Sequence, residues 1–209
     1  MKQFRYSFAL VGILFFAAAA PAASIDMDNP NRALAREGNI RIDAQLVRDT
    51  VSAGTAVGIT CQIQNFSDAS IAVADRVTDA NYDEDSRTIV VGVGSEVPAD
   101  GNLPHMVVIA PGEKKVFTAA ATPLLHAAAV RSTLPIVPRF VQVKVAILRD
   151  VAPYLDLIQK QDVRAKQRLS DAQFDQWFES NDTIVLNTIP VRYQAPPAAS
   201  DVERRQGGY

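Results

Sequence analysis

Residues 56–66 read AVGITCQIQNF, and this stretch decides the fold. Four apolar side chains alternate in it with four small or polar ones: Val57, Ile59, Cys61 and Ile63 against Gly58, Thr60, Gln62 and Gln64. A period of two predicts a β-strand with one buried and one solvated face. Such a strand needs a second apolar surface to cover its buried face.

The best partner for this strand is the stretch 140–148, which repeats the alternation with Val141, Val143, Val145 and Ile147. Because the two stretches lie some eighty residues apart, we expect them in facing sheets of a mainly β, antiparallel sandwich. Shorter alternating runs predict further strands at 39–47, 70–77 and 88–93, a hairpin joining 106–110 to 114–121, and a last strand at 183–193. Pro190 predicts that the last strand lies at an edge, with a bulge near residues 187–188.

Length and charge exclude some classes of function. The chain has 209 residues and a formal net charge of −2, with no clustered Lys and Arg that would predict nucleic-acid binding. Its single cysteine excludes an intramolecular disulfide, and the place of Cys61 in an apolar register predicts a buried thiol.

The first 23 residues have the pattern of a signal peptide. Lys2 and Arg5 precede an apolar run over 8–20, and small residues follow at 20–23. We therefore expect cleavage after Ala22 or Ala23 and a secreted or periplasmic protein without stable membrane insertion. Residues 24–38 are predicted to be a linker or arm, 39–193 the single domain, and 194–209 a disordered tail.

The central part of the chain resembles a known superfamily. The residues that carry the resemblance are Gly54, Val57, Ile59, Ile63, Asn65, Ser67 and Ile71, followed by the run IAPGE at 109–113 and then Val116 and Phe117. Over 39–121 this arrangement is similar to the immunoglobulin-like sandwiches of secreted bacterial proteins. The resemblance implies an immunoglobulin-like β-sandwich, in which Asn65 and Ser67 form the turn where a strand ends.

Residues 150–181 are predicted to be a helical insertion before the last strand. Ser170 and Gln173 fit a capping box, and three aromatic residues at helical spacing follow it: Phe174, Trp177 and Phe178. These aromatic residues either cover the sandwich or form a binding surface for a partner, and the spacing favours the covering role.

Two groups of residues are candidates for metal binding. Asp79, Asn81, Asp83 and Asp85 alternate in an acidic run that we predict to be a loop, as oxygen ligands do in calcium loops. Glu84 replaces the glycine of an EF-hand loop, so we expect solvated surface and no cofactor, with calcium as the alternative. The second group, His105, Met106, His126 and Cys61, contains the ligand types of copper sites but lacks a close ligand pair.

The functional prediction is a non-catalytic binding or structural module that contacts an unknown cell-envelope protein. Neither histidine is accompanied by a nucleophile motif, so we expect no enzymatic activity. A metal-binding periplasmic protein and a hydrolase remain as alternatives.

Overall fold

The computed structural model describes residues 25–29, 31–125, 136–161 and 167–195. Within these ranges the chain is mainly β. In chain order the strands are β1 (Arg32–Glu37), β2 (Ile40–Leu46), β3 (Thr50–Val51), β4 (Val57–Asn65), β5 (Ile71–Ala74), β6 (Thr78–Asp83), β7 (Thr88–Val93), β8 (Asn102–Leu103), β9 (Met106–Ile109), β10 (Lys114–Ala121), β11 (Phe140–Leu148), β12 (Gln167–Arg168), β13 (Asn181–Val185), β14 (Ile189–Pro190) and β15 (Arg192–Tyr193).

The strands form two larger sheets, and neither closes on itself within the described ranges. The first sheet has the order β1-β2-β4-β10 and is antiparallel throughout. The second has the order β6-β7-β11-β5-β9, with β13 and β14 also paired to β11. Its β7–β11 pair is parallel, and its other pairs are antiparallel. Two short ladders, β8 with β12 and β3 with β15, join distant parts of the chain.

The inner faces of both sheets contribute to one hydrophobic core. The four predicted apolar residues of β4 are buried, and they share a cluster with the buried valines of β11. The two strands that the alternation singled out therefore lie in different sheets, on either side of one core. Cys61 is fully buried there, as predicted, and this burial raises the pKa of its thiol to about 12.

A second, smaller core lies on the opposite face of β5, the strand whose four residues are all buried. Ile71 and Val73 belong to the first core, whereas Ala72 and Ala74 belong to the second. Two helices contribute to this second core: α1 (Leu155–Gln159) and α2 (Asp171–Ser180). The capping box of Ser170 and Gln173 begins α2, as predicted.

Three of the predictions for individual segments were wrong. The arm at 24–38 contains β1, which pairs along its whole length with β2 although few of its side chains are buried. The acidic run was expected to be a loop, but Thr78–Asp83 is strand β6, paired residue by residue with β7. The hairpin at 106–121 does not form, because β9 pairs with β5 in the second sheet and β10 with β4 in the first.

Asn65 explains why the turn at Pro111 and Gly112 leads from one sheet to the other. Its backbone N–H donates to the Glu113 carbonyl at 3.0 Å, and its carbonyl accepts from the Gly112 N–H at 2.8 Å. These bonds tie the turn to the end of β4, in the first sheet. The buried Asn65 side chain also donates to the Ile109 carbonyl at 3.0 Å, which ties it to β9, in the second sheet.

The last strand has the predicted interruption. Val185 pairs with Lys144, and Ile189 pairs with Val141. The last strand therefore advances four residues while β11 advances three. One extra residue in a ladder is a bulge. Pro190 follows it in β14, which pairs only with β11 among the described strands, as expected of an edge.

Candidate functional site

The alternating acidic residues lie on the exposed face of strand β6. Asp79, Asn81 and Asp83 are all exposed on it, and Asp85 lies in the following turn. The Asn81 amide donates to Asp79 at 3.3 Å, and Ser86 donates to Asp83 at 2.6 Å. A strand spaces alternate side chains along a line instead of pointing them at one centre. The four residues therefore do not form the calcium loop that their spacing suggested.

Asp79 instead borders a small polar cleft on the outer face of the second sheet. It pairs across the strands with Gly92, and Gly92 pairs with Lys144. A Cβ atom on Gly92 would lie 1.9 Å from Asp79 Oδ1, so the glycine leaves room for this carboxylate. Lys144 donates to Glu96 at 2.9 Å, and this hydrogen bond lowers the pKa of Glu96. The cleft has a volume of about 180 Å³.

The residues proposed as copper ligands do not come together. Cys61 lies in the first core and Met106 in the second. His105 Nδ1 lies 2.6 Å from Asp75 Oδ1 at the partly exposed start of β9, and His126 lies outside the described residues. In the described part of the chain, no three His, Cys, Asp or Glu residues are placed to hold a metal ion.

The three aromatic residues of α2 differ in exposure. Trp177 is 1% exposed and packs edge to face on Tyr154, which is the arrangement expected of a covering helix. Phe174 is partly buried against the same core. Phe178 is 50% exposed and lies edge to face with Phe174, with ring centroids 5.2 Å apart. The structure therefore leaves Phe178 as the aromatic residue of α2 that a partner can reach.

The free side of β10 is a candidate that the sequence did not single out. Because Glu113 accepts from Asn65, the backbone groups of odd-numbered residues in β10 face β4, and those of Val116 and Thr118 face away. Within the described residues β10 pairs only with β4. β6 lies beside part of β10, and Thr78 Oγ1 donates to the Ala120 carbonyl at 3.2 Å on its outer side. β10 thus presents an edge with unpaired donors and acceptors.

A pocket with a volume of about 390 Å³ lies at the end of this sheet. Its lining combines Val47, Val51 and Val57 with the polar residues Arg48, Thr50, Ser52, Thr55 and Gln194. These residues come from two separate parts of the chain, and Ala120 of β10 adds a third. Gln194 belongs to the segment that was predicted to be the start of the tail, and its N–H donates to the Val51 carbonyl at 2.8 Å.

Neither the edge nor the pocket has a local signal in the sequence. The edge depends on which strands pair, and the pocket depends on how residues from 47 to 194 meet. The signal that could have pointed to the pocket is Gly58, a glycine at the second position of a strictly alternating strand, since a glycine within a strand marks a close approach or an opening.

The comparisons with known proteins find no match, neither to a protein-family model nor to a curated protein. Among the described residues, no helix is long and apolar enough to cross a membrane.

Proposed function

We propose that this protein is a non-catalytic binding module of the cell envelope, which binds an extended segment of a partner protein along the free edge of β10. Its proposed class is an immunoglobulin-like sandwich with a helical insertion before the last strand. Support for the class comes from the two sheets that share one core and from the crossing between them at Pro111 and Gly112. The leader pattern of residues 1–23 supports a place outside the cytoplasm.

The observation that carries this proposal is the outer side of β10. An unpaired strand edge offers N–H and C=O groups at regular spacing, and extended peptides bind to such edges by adding a strand. Val116 and Thr118 provide two donors and two acceptors on this side, and Thr118 is exposed. An added strand gains affinity from these main-chain bonds and specificity from the side chains on either face.

Two other borders of the sheets are occupied by side chains of the protein itself. On β1, the Leu34 N–H donates to Asn187 Oδ1 at 2.8 Å. On β9, the Met106 N–H donates to Gln161 Oε1 at 3.1 Å. A side chain that takes the edge donor obstructs an incoming strand, which is one way in which proteins protect their edges. These contacts favour β10 as the edge that receives a partner.

The side chains of β10 indicate which partner fits. Lys114 is exposed and has no ion pair among the described residues. Lys115, in contrast, forms an ion pair with Glu113, with 3.3 Å between Lys115 Nζ and Glu113 Oε1. Thr118 and Ala120 are small and exposed, so they leave space on the outer face of the sheet. The proposed partner segment is therefore extended, carries an acidic residue near Lys114, and places larger side chains over Thr118 and Ala120.

The decisive experiment places a photo-crosslinking amino acid at Val116 in the exported protein and compares three backgrounds. In the parent protein we expect a specific crosslinked envelope protein. Thr118→Pro removes an edge donor without touching the ladder to β4, so the fold should persist while crosslinking falls about tenfold or more. Thr118→Val keeps the backbone donor and should crosslink like the parent.

Melting curves of the two variants show that the fold is intact. Hydrogen exchange adds a direct readout, because the Val116 and Thr118 amides should become protected when the identified partner is added. Equal crosslinking in Thr118→Pro and Thr118→Val would show that the edge does not receive the partner. Mass spectrometry of the exported chain tests its location, and a chain that retains Met1 would contradict cleavage of the leader.

A further inference from the structure

The floor of the 390 Å³ pocket is a cross-strand pair with almost no side chain. Gly58 on β4 lies directly opposite Ala120 on β10. A Cβ atom on Gly58 would lie 3.3 Å from Val47 Cγ2, a tight contact, so the absent side chain is also what lets Val47 stand beside the pocket. A pocket of this volume falls within the range typical of small-molecule sites.

The positive charge of Arg48, which lines this pocket, is not balanced by the nearest carboxylate in the sequence. Asp49 contacts Arg192 and accepts a hydrogen bond from Thr50 at 3.1 Å. The hydrogen bond from Thr50 and the contact with Arg192 lower the pKa of Asp49, so this carboxylate is ionised and already paired. Arg48 has no hydrogen bond or ion pair with any residue that the structure describes.

The other polar groups of the pocket are suited to hydroxyl groups. Thr55 Oγ1 donates to the Ser52 carbonyl at 2.8 Å and lies 2.9 Å from Ser52 Oγ. With both hydroxyl hydrogens used in this way, Ser52 Oγ keeps lone pairs that can accept from a ligand. The side-chain amide of Gln194 makes no hydrogen bond within the described residues and can both donate and accept.

From this arrangement we infer that the pocket binds a hydroxylated carboxylate of monosaccharide size, such as a uronic acid. Arg48 holds the carboxylate through charge-assisted hydrogen bonds, which are the strongest contacts available to a partly exposed guanidinium. Ser52 and Gln194 bind the hydroxyl groups. Val47, which is exposed beside Gly58, contacts the C–H face of the ring. This ligand is distinct from the strand partner of β10, because its polar contacts come from residues outside that strand, although the two sites share Ala120.

D-glucuronate is the probe, with D-glucose and inorganic phosphate as comparisons, and binding is followed by NMR shifts of the Gly58 and Val51 amides. We expect saturable shifts with glucuronate, weaker binding of glucose, which lacks the carboxylate, and weaker binding of phosphate, which lacks the ring. Arg48→Ala should weaken glucuronate binding at least tenfold. Arg76→Ala removes another exposed arginine, one that does not line the pocket, and should bind like the parent.

A second variant, Ala120→Phe, fills the floor from an exposed position and should abolish binding of all three compounds. Absence of glucuronate shifts, or shifts that Arg48→Ala leaves unchanged, would overturn the inference. Phosphate binding as strong as glucuronate binding would overturn the assigned ligand class. Arg48→Ala alters no residue of β10, so it should leave crosslinking at Val116 unchanged. The crosslinking comparison of Thr118→Pro with Thr118→Val therefore tests the strand partner separately from the pocket ligand.

Discussion

Trp177 and Tyr154 meet edge to face, with ring centroids 5.6 Å apart and ring planes at 82°. Each ring also has its polar atom satisfied by a backbone carbonyl. Trp177 Nε1 donates to Glu96 at 3.1 Å, and the Tyr154 hydroxyl donates to Gln173 at 2.8 Å. A buried aromatic pair with both polar atoms bonded is a structural contact in this protein, not a free recognition surface.

Replacement of Trp177 by Ala should therefore reduce the free energy of unfolding by about 3–5 kcal/mol, the usual effect of emptying a large buried aromatic site. Trp177 is the only tryptophan, so its emission should be at short wavelength in the native protein and shift to the red on unfolding. Phe178→Ala is the control and should change stability little, because its side chain is half exposed. Red-shifted native emission would contradict the covering role of α2.

Asn65→Ala should destabilise the protein by about 2–4 kcal/mol, as measured by chemical denaturation. The substitution removes the Asn65 amide that donates to the carbonyls of Ala69 and Ile109, and it removes the side-chain acceptor of Ser67, which keeps the Ala69 carbonyl as a partner. Ser67→Ala removes only part of this network and should have a clearly smaller effect. Similar losses for the two variants would show that the side chain of Asn65 does not hold the two sheets together.

The Cys61 thiol should not react with a thiol reagent in the native protein at neutral pH, because the thiol is buried and its pKa is raised to about 12. Reaction should follow unfolding, which a denaturant series can establish. Cys61→Val should be tolerated, whereas Cys61→Asp should cost several kcal/mol by burying an unpaired charge. Rapid labelling without denaturant would contradict the burial of this residue.

Two neighbouring glycines should differ in their tolerance of alanine. Gly94 has a φ of +92°, and a Cβ atom there would lie 2.6 Å from the Ala146 carbonyl oxygen, so Gly94→Ala should cost about 1–3 kcal/mol or more. At Gly92 the obstacle is the mobile end of the exposed Asp79 side chain. Gly92→Ala should therefore cost less than about 1 kcal/mol. Melting temperatures in the reverse order would contradict this reading of the two positions.

The pKa of Glu96 should lie below its ordinary value, because Lys144 donates a hydrogen bond to it. A folded-state pKa below the unfolded one means that the contact stabilises the fold above the ordinary carboxyl range and that this contribution is lost as the pH falls through that range. The effect should be modest, since the Glu96 side chain is half exposed. NMR titration should show the pKa of Glu96 rising in Lys144→Met and unchanged in Lys160→Met.

The sequence predicted the parts of the fold whose signal is local. Strict alternation identified β4 and β11, and the capping box identified the start of α2, because each pattern reflects a contact made within a few residues. The interruption before Pro190 was also predictable, since the apolar parity changes there. In the strands, burial of one face determines the alternation of apolar residues. In the helix, the bonds of the first turn determine the capping residues.

The features that the sequence did not predict depend on contacts between distant residues. Half of the residues of β1 are charged and its apolar residues do not alternate, so its strand conformation comes from pairing with β2. Residues 106–121 have the local chemistry of a hairpin, but β10 pairs with β4 and β9 with β5, and the bonds from Asn65 hold the turn between them. The candidate site has the same limitation, because Arg48 and Gln194 meet only after β15 pairs with β3.

The crossing of the chain at Pro111 and Gly112 determines how the protein can be divided. The first sheet takes β10 from a point in the chain after β5, β6, β7 and β9 have entered the second, and β11 then returns to the second sheet. No single cut separates the strands of one sheet from those of the other. A fragment that begins or ends between these strands must therefore lack strands of at least one sheet. Two complementary fragments added together are needed to rebuild both sheets.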